Sequence, residues 1–121
     1  MTSTRRATGI GVSPGLGSGE LRVDVDDALD AMDAGRPVVL ALAVSSPADV
    51  PAMTRASAVL VVRGDARSHT AIVANAAGVP AVVVGGLTIA AGGVEVEGIT
   101  IDVGCELTVD GDAGTVEWRA P

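Results

Sequence analysis

Three uninterrupted apolar runs constrain this chain more than any other feature: Pro37–Ala43, Ala58–Val62 and Ala81–Val84. Each has the length of a strand, is rich in Val or Leu and shows no polar alternation. Each is therefore expected to be a strand buried on both faces. Short helices are expected before and between them. Asp26–Ala34 has acids in its first turn, where the helix dipole favours them, and Gly35 stops it. Ser46-Pro47-Ala48-Asp49 starts a second helix with a capping hydroxyl, Pro at the first helical position and an acid, and it is expected to end near Arg55. Ser68 caps a third, His69–Ala77, which Gly78 closes and Pro80 cannot continue. Strands alternating with helices in this way read as a layered α/β domain.

The rest of the chain reads differently. After Gly85-Gly86 the pattern becomes short strands and tight turns, at Val94–Glu97, Ile99–Val103, Leu107–Val109 and Thr115–Trp118, with Asp110–Gly114 as a hairpin turn. A second, mostly antiparallel sheet is expected there. Near the start, Glu20–Val25 alternates polar and apolar residues as a half-buried strand does. Ser13–Gly19 carries turn chemistry, and residues 1–8 read as a flexible leader ahead of one domain over 9–121.

Composition narrows the function classes. The 121 residues suit one domain, and 48% hydrophobic against 19% charged residues excludes intrinsic disorder. Sixteen Gly and six Pro exclude a long coiled coil. No apolar run approaches the roughly 20 residues that span a bilayer, so no membrane partner is expected. No apolar signal core follows the basic start Met1–Arg6, and the single Cys105 has no intrachain disulfide partner, so a cytoplasmic setting is expected. Cys105 is expected to serve as a small buried hydrophobe without a catalytic role. A net charge of −7, with Trp118 as the one aromatic residue, disfavours nucleic acid. Any phosphate chemistry on so acidic a chain has to be local.

One place meets that requirement. The single histidine, His69, directly follows the N-cap Ser68 at the start of a helix, where unpaired N–H groups and the positive dipole end favour an anion. The neutral, nucleophilic ring suits that position. Ring attack on a phosphoryl group, with N–H donors and nearby cations neutralising the transferring oxygens, is the chemistry this arrangement offers. Arg63 and Arg67 lie on the preceding loop and can supply the charge. The plainer reading makes His69 a cap neighbour and both arginines solvated loop charges. One histidine without Cys or Glu beside it gives no metal-ligand set.

The segment Arg63–Val83, containing Gly64-Asp65-Ala66-Arg67-Ser68-His69-Thr70-Ala71 and then Gly78-Val79-Pro80-Ala81-Val82-Val83, resembles the phosphohistidine segment of the mobile, or swivelling, domain of phosphoenolpyruvate-utilising enzymes. Three more matches flank it in order: Ser13-Pro14-Gly15, Ser46-Pro47-Ala48-Asp49 and Asp110-Gly111-Asp112-Ala113-Gly114. The resemblance covers roughly residues 9–118 and implies a swivelling β/β/α three-layer domain with a buried sheet, a second small sheet and short helices. It implies His69 as the residue phosphorylated, with Ser68, Thr70, Arg67 and Gly64 around the phosphate. It further implies a carrier that relays the phosphoryl group between a phosphoenolpyruvate/pyruvate site and a nucleotide or other acceptor site. Those sites belong to protein partners or partner domains, which are expected to bind Mg and phosphoenolpyruvate or ATP. This domain is expected to bind no cofactor or metal itself and to hold no complete active site. The chain departs from the family pattern at Asp65 (for Gly), Arg67 (for Thr) and Asn75 (for Arg). These departures support the alternative, a non-catalytic binding or regulatory module with the same fold. The sequence does not set an oligomeric state.

Overall fold

The computed structural model describes residues 3–120. Its strands are β1 (Ser3–Thr8), β2 (Ile10–Ser13), β3 (Leu16–Arg22), β4 (Val38–Leu42), β5 (Ala58–Val61), β6 (Ala81–Val83), β7 (Leu87–Ala90), β8 (Gly93–Val96), β9 (Ile99–Asp102), β10 (Glu106–Asp110) and β11 (Thr115–Ala120). The helices are α1 (Val25–Asp33), α2 (Val50–Arg55), which a single 3-10 turn over Pro47–Asp49 precedes, and α3 (His69–Ala77). Eight strands form one mixed sheet in the order β1-β11-β10-β3-β4-β5-β6-β2, and β7-β8-β9 form a small antiparallel one.

The apolar runs become the parallel centre, β4, β5 and β6, and both of their faces are covered. Val38, Leu40, Val59, Val61, Ala81 and Val83 pack with Ala28, Ala31, Met53, Ala71 and Ala74 of the helices. Val39, Ala41, Ala58, Leu60, Val82 and Val84 face the opposite way, onto Leu87, Val94, Val96 and Ile101 of the small sheet and onto Leu107, Val109 and Trp118. Burial on both faces removes the need for alternation, which is why these strands read as continuous runs. The result is three layers: helices, main sheet, small sheet.

The two ends of the main sheet, β1 and β2, are separated in sequence by Gly9 alone. One residue bridges only about 7 Å between its neighbouring Cα atoms, so the sheet has to curl until its first and last strands meet. The β10–β11 turn seals the join: Gly9 donates to the Gly114 carbonyl at 2.8 Å and Gly111 to that of Gly15 at 2.7 Å.

Four expectations are corrected here. The strands at Leu107–Val109 and Thr115–Trp118, expected in the second sheet, join the main sheet as β10 and β11 and leave the small sheet to β7, β8 and β9. Residues 3–8 are an ordered strand in register with β11 rather than a leader, because Ala7 buries its side chain opposite Val116 and Arg6 pairs with Glu117. Met1 and Thr2 lie outside the described residues. The turn expected over Ser13–Gly19 shrinks to Pro14-Gly15, and β3 runs on from Leu16. Its glycines serve close approach instead of turning: a Cβ on Gly17 would lie 2.0 Å from the Ser57 carbonyl oxygen, and one on Gly19 2.7 Å from the Pro37 carbonyl. The strand expected to Val25 ends at Arg22 because the Asp24 carboxylate accepts from Asp26 N–H and caps α1. Arg22 ties this junction together through Glu20 at 2.7 Å and Asp27 at 3.1 Å, and the bond to Glu20 first of all raises the guanidinium pKa against partial burial.

Between β8 and β9 the chain turns on Glu97 (φ 52°) and Gly98 (φ 79°). Both are left-handed, a turn that favours Asn over a long side chain at its first position. Glu97→Asn is expected to stabilise the domain by about 0.5–1 kcal/mol. Urea unfolding followed by Trp118 fluorescence measures it, and an unchanged midpoint would count against the strain.

Candidate functional site

The site lies at the carboxyl ends of β4 and β5, the usual place for ligands on a parallel sheet. After β4 the chain passes through Val44 and Ser45. Ser46 N–H then donates to the Asp49 carboxylate at 2.8 Å, which fixes the loop. After β5 it continues into Arg63-Gly64, and Val62 N–H bonds the Ala43 carbonyl at 3.1 Å, holding the two loops side by side. Asp65 shapes the approach to α3: its carboxylate accepts from Arg67 N–H at 2.8 Å and its carbonyl accepts the Ser68 hydroxyl at 2.7 Å. Ser68 Oγ in turn accepts from Ala71 N–H at 3.4 Å, so the expected N-cap is formed. Gly64 has φ +149°, and a Cβ there would stand 2.9 Å from Ser68 Oγ. A side chain at this position would displace the cap.

His69 is half-buried at the first position of α3. Its Nδ1 lies 2.8 Å from Ser45 Oγ, and Ser45 Oγ lies 2.6 Å from the hydroxyl of Thr70, which is only 2% exposed. Ser45, Ser68, His69 and Thr70 line an open cavity of about 230 Å³ with Val44, Arg63 and Gly64. That volume accepts a phosphoryl group. The first N–H groups of a helix have no intrahelical partner, and they point to the same end.

Of the residues singled out by sequence, Gly64, Ser68, His69 and Thr70 are brought together. Arg67 is exposed and outside the cavity lining, and Arg63 is the cation within it. Asp65 spends its carboxylate on the Asx turn. Asn75, where the resemblance expects Arg, donates through Nδ2 to the carbonyls of Val12 on β2 and Ala71 on α3, both at 2.7 Å. It fastens α3 to the edge strand. Ser45 is the residue that sequence reasoning missed. It sits beside the Ser46-Pro47 helix start, and nothing local links it to a histidine 24 positions later.

Elsewhere, a larger cavity of about 580 Å³ on the antiparallel end is lined by Cys105, Thr108, Glu117 and Trp118 among others. Cys105 is half-buried against the core, and burial, with the nearby charges of Asp102 and Glu106, pushes its thiol pKa up, away from a reactive thiolate. Among the described residues no group of three or more His, Cys, Asp or Glu side chains is assembled for a metal ion. No helix there is long and apolar enough to cross a membrane.

Fold and site together define a three-layer α/β domain that presents one histidine at a helix start beside a phosphate-sized cavity. Residues 34–114 match the family described as PEP-utilising enzyme, mobile domain, and the chain belongs to that family. It is 33% identical over 118 residues to a pyruvate, phosphate dikinase of Rhizobium meliloti, covering 90% of this chain and 12% of that protein. A probable phosphoenolpyruvate synthase of Pyrococcus horikoshii is 38% identical over 109 residues, 89% of this chain and again 12% of the relative. The chain thus spans about an eighth of these relatives. The solution NMR structure of a UPF0107 protein superposes with a TM-score of 0.57 at 16% identity, covering 94% of this chain and 98% of that one; this likeness concerns the fold alone.

Removing the Asn75 amide leaves the Val12 carbonyl of β2 without its donor. Asn75→Ala is expected to lower unfolding free energy by about 1–2 kcal/mol. Chemical denaturation checks this, and a loss below a few tenths would show that the amide does not hold the helix.

Proposed function

We propose that this chain is the phosphohistidine carrier of a phosphoenolpyruvate-utilising phosphotransferase, with His69 as nucleophile. The observation that carries the reading is the bond between His69 Nδ1 and Ser45. It occupies one ring nitrogen and leaves Nε2, which bonds to none of the described residues, beside a cavity whose other walls suit a phosphoryl group.

In this reading Nε2 attacks phosphorus, the bond from phosphorus to the donor oxygen breaks, and its electron pair leaves with that oxygen. The phosphoryl oxygens meet the N–H groups of the first turn of α3 and Arg63, while the Ser68 hydroxyl, whose proton goes to the Asp65 carbonyl, holds the cap that aims those N–H groups. Ser45 holds the ring, so the orientation is set before the donor arrives. Arg67, outside the lining, acts on the rim. The relay runs between a phosphoenolpyruvate/pyruvate site and a second, nucleotide or other acceptor site on partner domains or chains. Mg and the phosphoryl donors belong to those partners. Movement of the whole domain presents the tethered histidine to each site in turn. A cytoplasmic setting suits these reactants.

Intact mass after incubation with phosphoenolpyruvate and a lysate of the source organism tests the reading. One phosphoryl group is expected, lost in mild acid and absent from His69→Ala. If the lysate labels a competent mobile domain but not this chain, the carrier reading fails and a non-catalytic module with the same fold takes its place.

A further inference from the structure

Large apolar side chains left in water are informative only where they gather. Among the described residues four are exposed: Ile10 at 64%, Leu16 at 71%, Val44 at 54% and Ile72 at 62%. Three of the four surround His69. Val44 lines its cavity. Ile72 follows it by one helical turn on α3, at the spacing that puts two side chains on one flank. Ile10 lies directly opposite Val83 across the β2–β6 pairing, and Val83 Cγ2 is 3.7 Å from where a Cβ on Gly64 would stand, at the cavity wall. Leu16 is the exception. It opens β3, whose Glu20 pairs with the first residue of β4, and so lies toward the amino ends of the parallel strands.

Charge on this face runs against that of the chain. Arg6, Arg22, Arg36 and Arg55 each hold an ion pair, whereas Arg63 and Arg67 hold none among the described residues. The acids on the same loops turn back on their own backbone, Asp49 to Ser46 N–H and Asp65 to Arg67 N–H. Two unpaired guanidinium groups beside three exposed apolar side chains fit a surface of the opposite kind, an apolar patch flanked by carboxylates. A second copy of this chain does not offer one, because in a two-fold contact the face would meet itself, arginine against arginine. An anionic lipid surface extends past the face and meets the repulsion of a chain of net charge −7. A protein partner fits, and the matched relatives carry this domain as about an eighth of a longer chain.

We propose that Ile10, Val44 and Ile72, with Arg67 at the rim, form the face on which this chain docks a protein partner, and that the partner presents an apolar patch flanked by carboxylates. The apolar side chains supply the buried area, and Arg67 sets the orientation. Arg67 stands where the family pattern has Thr, so this charge belongs to the chain and not to the pattern. It is exposed and outside the cavity lining, and no contact within the domain holds its side chain among the described residues. The face is read from exposure and charge. That its partner donates or accepts the phosphoryl group rests on the carrier reading.

The chain has five isoleucines, two on this face and three, Ile89, Ile99 and Ile101, on the small sheet, so their δ1-methyl signals separate docking from general adhesion. The full chain, deuterated except at these methyls, is mixed with unlabelled lysate of the source organism, and the amide and aromatic protons of the lysate are irradiated. Cross-saturation is expected to weaken the Ile10 and Ile72 signals and spare the other three. Arg67→Glu should abolish that loss at low salt, and Arg67→Lys should keep it. Equal loss at all five, no loss at any, or loss indifferent to Arg67→Glu overturns the proposal. Self-association of the chain through this face, or its binding to phosphatidylglycerol vesicles, overturns it too by assigning the face to a second copy or a membrane. A rate measurement separates the two readings. Ile72→Ser is expected to slow phosphorylation by phosphoenolpyruvate and lysate about tenfold, the size of one apolar side chain withheld from burial, and to leave labelling by phosphoramidate unchanged. An undiminished rate with lysate removes the docking face and keeps the carrier. If the lysate phosphorylates no form of the chain while the methyl pattern and its Arg67 dependence hold, the docking face survives and the carrier reading falls.

Discussion

Everything at the site depends on the parallel ladder of β4 and β5. These strands are buried on both faces, so their register is set twice, once by the helices and once by the small sheet. Register in turn fixes where the chain leaves each strand. Ser45 emerges from β4 and Arg63-Gly64 from β5 at the same end, and the bond from Val62 N–H to the Ala43 carbonyl keeps the two exits level. A one-residue slip would carry Ser45 away from His69. It would also turn Val38, Leu40 and Ala41 to the wrong layers.

On that platform the site needs few groups. A nine-residue helix supplies the anion-favouring end, Ser68 closes its cap, Asp65 sets the turn into it, and Asn75 holds its far half to β2. The departures from the family pattern gain a physical meaning from this arrangement. Asp65 and Asn75 spend their polar groups on backbone inside the domain. Arg63 is the arginine that lines the cavity, and Arg67 lies outside the lining. An acidic protein thereby keeps a locally cationic rim beside its one histidine.

The sequence made the central layer legible because a strand buried on both faces leaves an unbroken apolar run. It made α3 legible because Ser68 and Gly78 mark both ends. Its silence elsewhere has causes as specific. Ser3–Thr8 has one buried apolar side chain of its own and is a strand because β11 lies beside it. Gly17 and Gly19 read as turns, since nothing local reveals the neighbouring backbone that a Cβ at either position would meet within 3 Å. Leu87–Ala90 alternates over only four residues, too short to stand out between glycines. At the site, His69, Ser68, Thr70 and Gly64 were visible as one contiguous motif, whereas Ser45 reaches the ring only through the pairing of two strands. Contacts that depend on register are not written in local pattern.

The central claim is that His69 receives the phosphoryl group on Nε2, the nitrogen that Ser45 leaves open. Phosphorus-31 NMR of the ¹⁵N-labelled domain after phosphoramidate treatment tests it most directly, through the coupling between phosphorus and the ring nitrogens. A single phosphorus resonance coupled to Nε2 is the result this account predicts. Phosphorus on Nδ1 would mean that the Ser45 bond does not govern the ring, and the site described here would not be the one that reacts.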